Sequence, residues 1–515
     1  MKTKSFTCSK WLLSLALLLW EGIALAQVPV ISWQKSFGGD SVDYANDIQQ
    51  TSDGGYIVAV RSYSIDGDVT GNHGNGDYWI VKLDSSGTLS WQKCLGGSGD
   101  DVPWSIQQTS DGGYIVAGSS RSTDGDVTGN HGTDDFWIVK LAANGNLTWQ
   151  KSLGGSQQEW AESIQQTTDG GYIVAGWSLS YDGDVTGNHG SLDYWIVKLD
   201  SSGNLAWQKC LGGSDDDESI SIQQTTEGGY IVAGWSYSND GDVIGNHGND
   251  DFWIVKLAAN GNLSWQKCLG GSDGDGALCI KQTTDGGYIV AGLSYSHDGE
   301  VTGNHGLSDY WIVKLAANGN LLWQKSFGGS NWDDALSVEQ TTEGGYIVSG
   351  RSMSMDGEVT GNHGSWDYWI IKLTANGNLS WQKCFGGSWD DIAFSIKQTT
   401  DGGYIVAGRS GSFDGDVTGN HAYGDVWIVK LKNFGVGIEE ASRVRGLNVW
   451  PNPAQDVLFV ESDVAKDVVI LNVTGEIVMR TEIVGKEGLE VSGLPTGVYW
   501  VRDVDGGEGQ VFIKE

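Results

Sequence analysis

Four textures of apolar and polar positions follow one another along this chain and then return in the same order. Around residue 110, residues 105–109 (Ser-Ile-Gln-Gln-Thr) alternate as a half-buried strand does. Ser110-Asp111-Gly112-Gly113 is a tight turn, and the continuous apolar run Tyr114-Ile115-Val116-Ala117 reads as a strand buried on both faces. A polar stretch over 120–134 precedes a third strand, 136–141 (Phe-Trp-Ile-Val-Lys-Leu). Asn144-Gly145 signals another hairpin, and 147–153 (Leu-Thr-Trp-Gln-Lys-Ser-Leu) is a fourth, more polar strand suited to an edge. The sequence Gly-Gly-Tyr-Ile-Val opens at Gly54, Gly112, Gly170, Gly228, Gly286, Gly344 and Gly402, a period of 58 residues. One unit cannot bury its own apolar face, so a fixed long period means stacked copies. Seven four-stranded antiparallel meanders packed radially give an all-β, seven-bladed propeller over 27–432. The strands show no helical period.

The chain ends of this region predict how the ring closes. Trp-Gln-Lys begins at Trp33, Trp91, Trp149, Trp207, Trp265, Trp323 and Trp381. Its first copy precedes any inner strand, and the last third strand, near Trp427, has no Trp-Gln-Lys after it. Pairing residues 32–38 with the last blade completes the seventh sheet and removes two open edges. The turn Asp84-Ser85-Ser86-Gly87 leading to Trp91 on the outer strand resembles the blades of tryptophan-motif, quinoprotein-type propellers. That likeness is architectural and implies no quinone cofactor.

In a meander the connections alternate between the two ends of the sheet. The Asp-Gly-Gly and Asn-Gly turns therefore share one face of the disk. The long loop and the turn after Gly96-Gly97 share the other, which carries nearly all variation between copies. The long loop, Asp66 to Asp77, has acids at its positions 1, 3 and 12, a hydroxyl at 5 and glycine at 6. This resembles the twelve-residue calcium loop of EF-hands, with Asp in place of Glu at the end and strands in place of helices. The resemblance makes calcium a candidate ligand. The acids would be Asp66, Asp68, Asp77; Asp124, Asp126, Asp135; Asp182, Asp184, Asp193; Asp240, Asp242, Asp251; Asp298, Glu300, Asp309; Asp356, Glu358, Asp367; and Asp414, Asp416, Asp425. The alternative is that these acids cap turns by accepting backbone N–H groups. The loop histidines, His73 and its six equivalents, read as structural, since identical positions on separate blades do not converge on a metal.

Tryptophan divides into two sets. Fourteen occupy repeat positions and read as core. Trp104, Trp160, Trp177, Trp235, Trp332, Trp366 and Trp389 break the repeat, in or beside the variable-face connections. Aromatic rings beside acids form a platform for a glycan or protein ligand; packing between loops is the alternative. Catalytic motifs find little support: no His-Glu-x-x-His or phosphate loop occurs, and the one Gly-x-Ser-x-Gly match, Gly270 to Gly274, lies in an all-β pattern with no helix to make a nucleophile elbow. Asp100/Asp101, Asp333/Asp334 and Asp390/Asp391 would serve a glycosidase only at a suitable separation.

Composition narrows the partners. A formal charge of −34 over 515 residues disfavours nucleic acid and anionic membranes. Lys2, Lys4 and Lys10, an apolar run over 11–20 and Ala24-Leu25-Ala26 read as a signal peptide over 1–26. No other stretch is long and apolar enough to be a transmembrane helix. Cys94, Cys210, Cys268 and Cys384 alternate with Ser36, Ser152 and Ser326 at one repeat position, so that site wants a small side chain rather than a disulfide.

After a linker over 433–446 the texture changes to short alternating strands over 447–515, a small β-sandwich. Pro451-Asn452-Pro453, the turn at Gly475, the segment with Gly497 and Tyr499, and the near-terminal Lys514 resemble the type A C-terminal sorting domain of the type IX secretion system. The resemblance implies a Bacteroidetes-type source, contact with the secretion machinery, and a cargo released or held at the outer-membrane surface. The expectation is thus an exported, non-catalytic binding or structural propeller; a secreted carbohydrate-active enzyme or a purely structural surface protein is the alternative.

Overall fold

The structure, a computed structural model, describes residues 28–421, 424–432, 448–450, 452–472, 476–504 and 509–514. The expected signal peptide and linker, with Pro451 and Gly475, lie outside these. The chain divides into two compact units between residues 434 and 435.

The described residues of the first unit form seven four-stranded antiparallel sheets. In the second blade the strands are Asp101–Gln108, Tyr114–Ser120, Asp135–Leu141 and Leu147–Leu153, hydrogen-bonded in chain order. The second and third strands are buried along their whole length, and the fourth is exposed at its start. That gradient is what the change from continuous apolar run to Trp-Gln-Lys edge dictates. Innermost strands touch the innermost strands of both neighbours, and the cycle returns from Asp391–Gln398 to Asp43–Gln50. The strands therefore form a closed disk around an axis.

Val30–Phe37 supplies the missing outer strand of the last blade. It pairs antiparallel with Asp425–Lys432, from Val30 opposite Lys432 to Phe37 opposite Val426. Side chains repeat there the bond made within other blades. Trp427 Nε1 donates to Gln34 Oε1 at 2.7 Å, as Trp137 Nε1 does to Gln150 Oε1 at 2.8 Å.

Two devices fix blade against blade. The outer-strand tryptophan sits under the next blade's hairpin: Trp149 meets Tyr172 edge-on at 5.8 Å. Its ring also occupies the space a Cβ on Gly203 (φ 79°) would fill. A ring of glutamines also crosses from each blade to the one before it in the ring. Gln108 Oε1 accepts from Ser52 N at 2.8 Å, and Gln50 Oε1 accepts from Thr400 N at 2.9 Å across the closure.

The second unit holds the strands Asn448–Trp450, Val457–Asn472, Ile477–Glu490, Gly497–Asp503 and Gly509–Lys514, joined in one hydrogen-bonded sheet. Its core includes Leu458, Val460, Ile470, Val501 and Phe512. Asn452 ties the start of this unit to its last strand. Its amide donates to Val511 O at 3.1 Å and its carbonyl accepts from Ile513 N at 2.9 Å. Tyr499 stacks on Phe512 and donates to Pro495 O at 2.8 Å, while Gly497 pairs with Lys514.

Candidate ligand-binding site on the propeller axis

Every innermost strand carries a register shift at the same place, between Ala45 and Asp47 in the first blade and between Ala393 and Ser395 in the last. A bulge leaves one residue unpaired and re-aims its side chain. Here the residue is Asn46, Trp104, Glu162, Ile220, Leu278, Leu336 or Phe394, and each lines one cavity on the axis. Seven equivalent positions thus carry six different side-chain types, so the wall of that cavity is asymmetric although the scaffold repeats.

The cavity has a volume of about 420 Å³. Four of the seven non-repeat tryptophans converge on it. Trp104 and Trp160 come from innermost strands, and Trp177 and Trp235 from second strands. Trp160 stacks on Trp177 with centroids 5.6 Å apart and planes 16° from parallel, and Trp104 lies 6.3 Å from Trp160. The indole N–H groups of Trp104 and Trp160 are buried without an acceptor among the described residues. Glu162 and Glu218 face the same space, as do Lys281 and Lys397 from later blades.

The charges are distributed unevenly. Burial, then the neighbouring Glu218, pushes the Glu162 carboxyl up to about 8. Burial, then Asp216 and Asp250, pushes Glu218 up to about 7. Among the described residues neither carboxyl has a cationic partner. Lys397 is differently placed: burial alone would lower its ammonium pKa, but Asp47 at 3.7 Å and then Glu339 raise it. Asp47 also accepts from Ser395 Oγ at 2.9 Å and Ile106 N at 3.1 Å, which ties the last, first and second blades together.

The other candidates read from the repeat go elsewhere. Trp366 lies under the Arg351 guanidinium at 4.3 Å, and Trp332 and Trp389 are 40% and 65% exposed away from the axial cavity. The loop acids act as hydrogen-bond acceptors. In the first loop Asp66 Oδ1 accepts from Asp40 N at 2.9 Å, and Asp68 Oδ2 from Gly38 N at 3.3 Å. Asp77 is fully buried, its Oδ2 accepting from His73 N at 3.0 Å and facing His73 Nδ1 at 2.7 Å. The same His–Asp contact recurs in all seven loops, ending with His421 and Asp425 at 2.6 Å. Among the described residues no three His, Cys, Asp or Glu side chains are placed to hold a metal ion.

The acid pairs weighed for glycosidase chemistry are split between two duties. Asp100, Asp334 and Asp390 meet Arg61, Arg351 and Arg409 at 2.5, 2.8 and 3.4 Å. Asp101, Asp333 and Asp391 are buried between blades. The five described cysteines are buried and free.

Fold and cavity define a seven-bladed propeller with an asymmetric axial pocket. Residues 448–514 match the family described as secretion system C-terminal sorting domain. The protein is accordingly a type IX secretion cargo, secreted or at the cell surface. Over 460 residues the chain is 23% identical to the regulatory protein FlaEY of Caulobacter vibrioides, covering 78% of this chain and 45% of that one. It therefore spans less than half the length of the curated relative it matches. Among solved structures it is similar to the Pan2 WD40 domain of Neurospora crassa, with TM-score 0.40, 11% identity, and coverage of 76% and 97%. It is also similar to a puromycin hydrolase, with TM-score 0.44, 12% identity, and coverage of 85% and 62%.

Proposed function

We propose that this protein is a non-catalytic binding propeller whose ligand enters the axial cavity. One observation carries the reading: the side chains that break the repeat meet there, four indoles and two carboxyls around about 420 Å³. A purely structural disk would gain nothing from six residue types at one bulge position. Stacking on indole faces with carboxyl hydrogen bonds is the chemistry of small-ligand and glycan capture. The test is a glycan and small-metabolite panel read by intrinsic fluorescence. The wild type should respond to at least one compound, and Trp177→Ala and Trp235→Ala should lose the response. A panel with no response from the wild type would leave the structural role ahead.

A second reading, glycoside hydrolysis, is favoured by Glu162 and Glu218 sharing a tryptophan-lined cavity. A retaining or inverting pair needs one carboxyl ionised and one protonated. Both carboxyls here are pushed upward, to about 8 and about 7, so the ionised partner is poorly supplied at neutral pH. Release of nitrophenol from nitrophenyl glycosides, lost in Glu218→Gln, would favour this reading over binding.

A further inference from the structure

We infer that the ligand of the axial cavity is an organic cation, an ammonium centre surrounded by carbon such as a trimethylammonium group. This deepens the binding reading and rests on it. The acidic half of the cavity contains two carboxyls, Glu162 and Glu218, with no Lys, Arg or His among the described residues paired to them. Lys397, a base of the same wall, is already held by Asp47. Buried carboxyls without a cation are costly, and proteins keep them where a ligand or proton completes them. The rings around them are of the type that best stabilises a cation over its face. Trp160 and Trp177 lie nearly parallel, so an alkylammonium group can lie against a broad indole surface. Gly276, at the inner-strand position where Trp160 and Glu218 stand in their own blades, adds no side chain. A Cβ there would reach Trp235 at 3.6 Å, so the glycine leaves that ring's edge open.

Several features favour a cation over a neutral sugar. A sugar needs paired donors and acceptors around its hydroxyls. The later blades line the cavity with Leu278, Leu336 and Phe394, which suit methyl groups, beside Lys281 and the Asp47-bound Lys397. Burial, the chief cause of the upward shift at both carboxyls, would be offset by a cation held against them, which favours the ionised form. A formal charge of −34 also raises the local concentration of cations and lowers that of anions.

The test uses the purified full chain, with choline against its neutral isostere 3,3-dimethylbutan-1-ol, followed by tryptophan fluorescence and calorimetry. Choline should bind at least 10-fold more tightly than the isostere. Glu162→Gln should weaken choline at least 10-fold while leaving the isostere unchanged. Trp160→Ala should weaken both, and circular dichroism reports whether each variant folds. Equal binding of choline and isostere, or no effect of Glu162→Gln, would overturn the cation assignment. Tryptophan-dependent binding of a neutral glycan without choline would overturn it too, while the binding reading stands. No binding by any probe would sink both.

Discussion

The buried acids between blades make a prediction with a definite sign. Asp367 opens the third strand of the sixth blade and Asp391 the innermost strand of the seventh, and both are fully buried. Asp391 Oδ2 accepts from Gly387 N and Ser412 Oγ, both at 2.8 Å; Asp367 Oδ2 meets His363 Nδ1 at 2.6 Å. The Oδ1 atom of each is buried with no hydrogen-bond partner among the described residues. The carboxyls approach one another across Gly386, where a Cβ would lie 2.6 Å from Asp391 Oδ2 and 2.7 Å from Asp367 Oδ1. Burial holds both acids up to about 6, with Asp391 adding to the rise at Asp367. An unfolded aspartate titrates near 4, so the native pair binds protons more tightly than the unfolded chain. Stability from these groups is complete below about pH 4 and is lost as pH rises through 6. A shift of about 2 units corresponds to ~3 kcal/mol at most, counted once per pair because the two titrate together. Asp391→Asn keeps an acceptor, removes a charge and offers an N–H to an orphaned oxygen. Urea denaturation should show a gain of about 1–2 kcal/mol at pH 8 and almost none at pH 4.5. A loss of similar size at both values would refute the account. If that loss came with a wild-type midpoint lowered by EGTA, a bound cation would be neutralising the pair.

Three further outcomes follow from the same contacts. Across pH the propeller should be most stable near 4: the inter-blade acids held at about 6 (Asp193, Asp217, Asp251, Asp275, Asp333 and Asp425 among them) weaken it as pH rises from there through 6. Asp53, held down to about 2 chiefly by the Thr51 hydroxyl, and Asp111 and Asp169, where hydrogen bonds and a lysine outweigh burial to the same value, weaken it only below about 4; a melting midpoint that rises steadily from pH 5 to 8 would contradict this. Gln34→Ala should cost about 1–2 kcal/mol, the same as Gln150→Ala, because each removes the acceptor of a buried indole N–H; a negligible cost at Gln34 alone would mean the closure is a loose seam. Asn452→Ala removes both bonds to the final strand and should leave the protein cell-associated, as read by fractionation; undiminished export would separate that asparagine from sorting.

The disk was legible because its code is redundant. Seven copies of Gly-Gly-Tyr-Ile-Val fix the blade number, and one displaced Trp-Gln-Lys predicts the pairing of Val30–Phe37 with Asp425–Lys432. The candidate site was half legible. Departure from the repeat singled out Trp104, Trp160, Trp177 and Trp235, but put them in or beside the variable-face connections and not on the axis. Trp104 occupies the bulge that turns it to the axis, and a bulge leaves no mark in a hydrophobic pattern. Glu162 was missed because one acid among the 65 Asp and Glu draws no notice. Its signal was available in the 58-residue alignment, where Asn46, Trp104, Glu162, Ile220, Leu278, Leu336 and Phe394 vary inside an otherwise repeated strand. The loop acids drew notice for the opposite reason: repetition made them conspicuous, and what the pattern could not give is their backbone partners, Asp40 N for Asp66 and Gly38 N for Asp68, some two dozen or more residues away.

A sevenfold ring has one place where all seven blades can contribute to a single site, and that is its axis. Anywhere else a residue meets only its own blade and two neighbours, so identical copies present the same surface seven times. The grooves lined by Thr70, His73, Gln92 and Asp126, and by Ile244, His247, Gln266 and Glu300, are such repeats. At the axis all seven innermost strands contribute. The bulge residue there is released from the strand ladder and points away from the core, while its flanking alanine and isoleucine stay buried, as Ala45 and Ile48 do. Changing it therefore disturbs neither the sheet nor the tryptophan–glycine bolts between blades. That decoupling lets the axial wall diverge without a cost to the sheets. Glu162→Ile, which copies the residue of the next blade, should alter ligand preference without lowering the melting midpoint, since it removes an unpaired carboxyl that burial disfavours, and a midpoint lowered by many degrees would show that the axial wall is part of the frame.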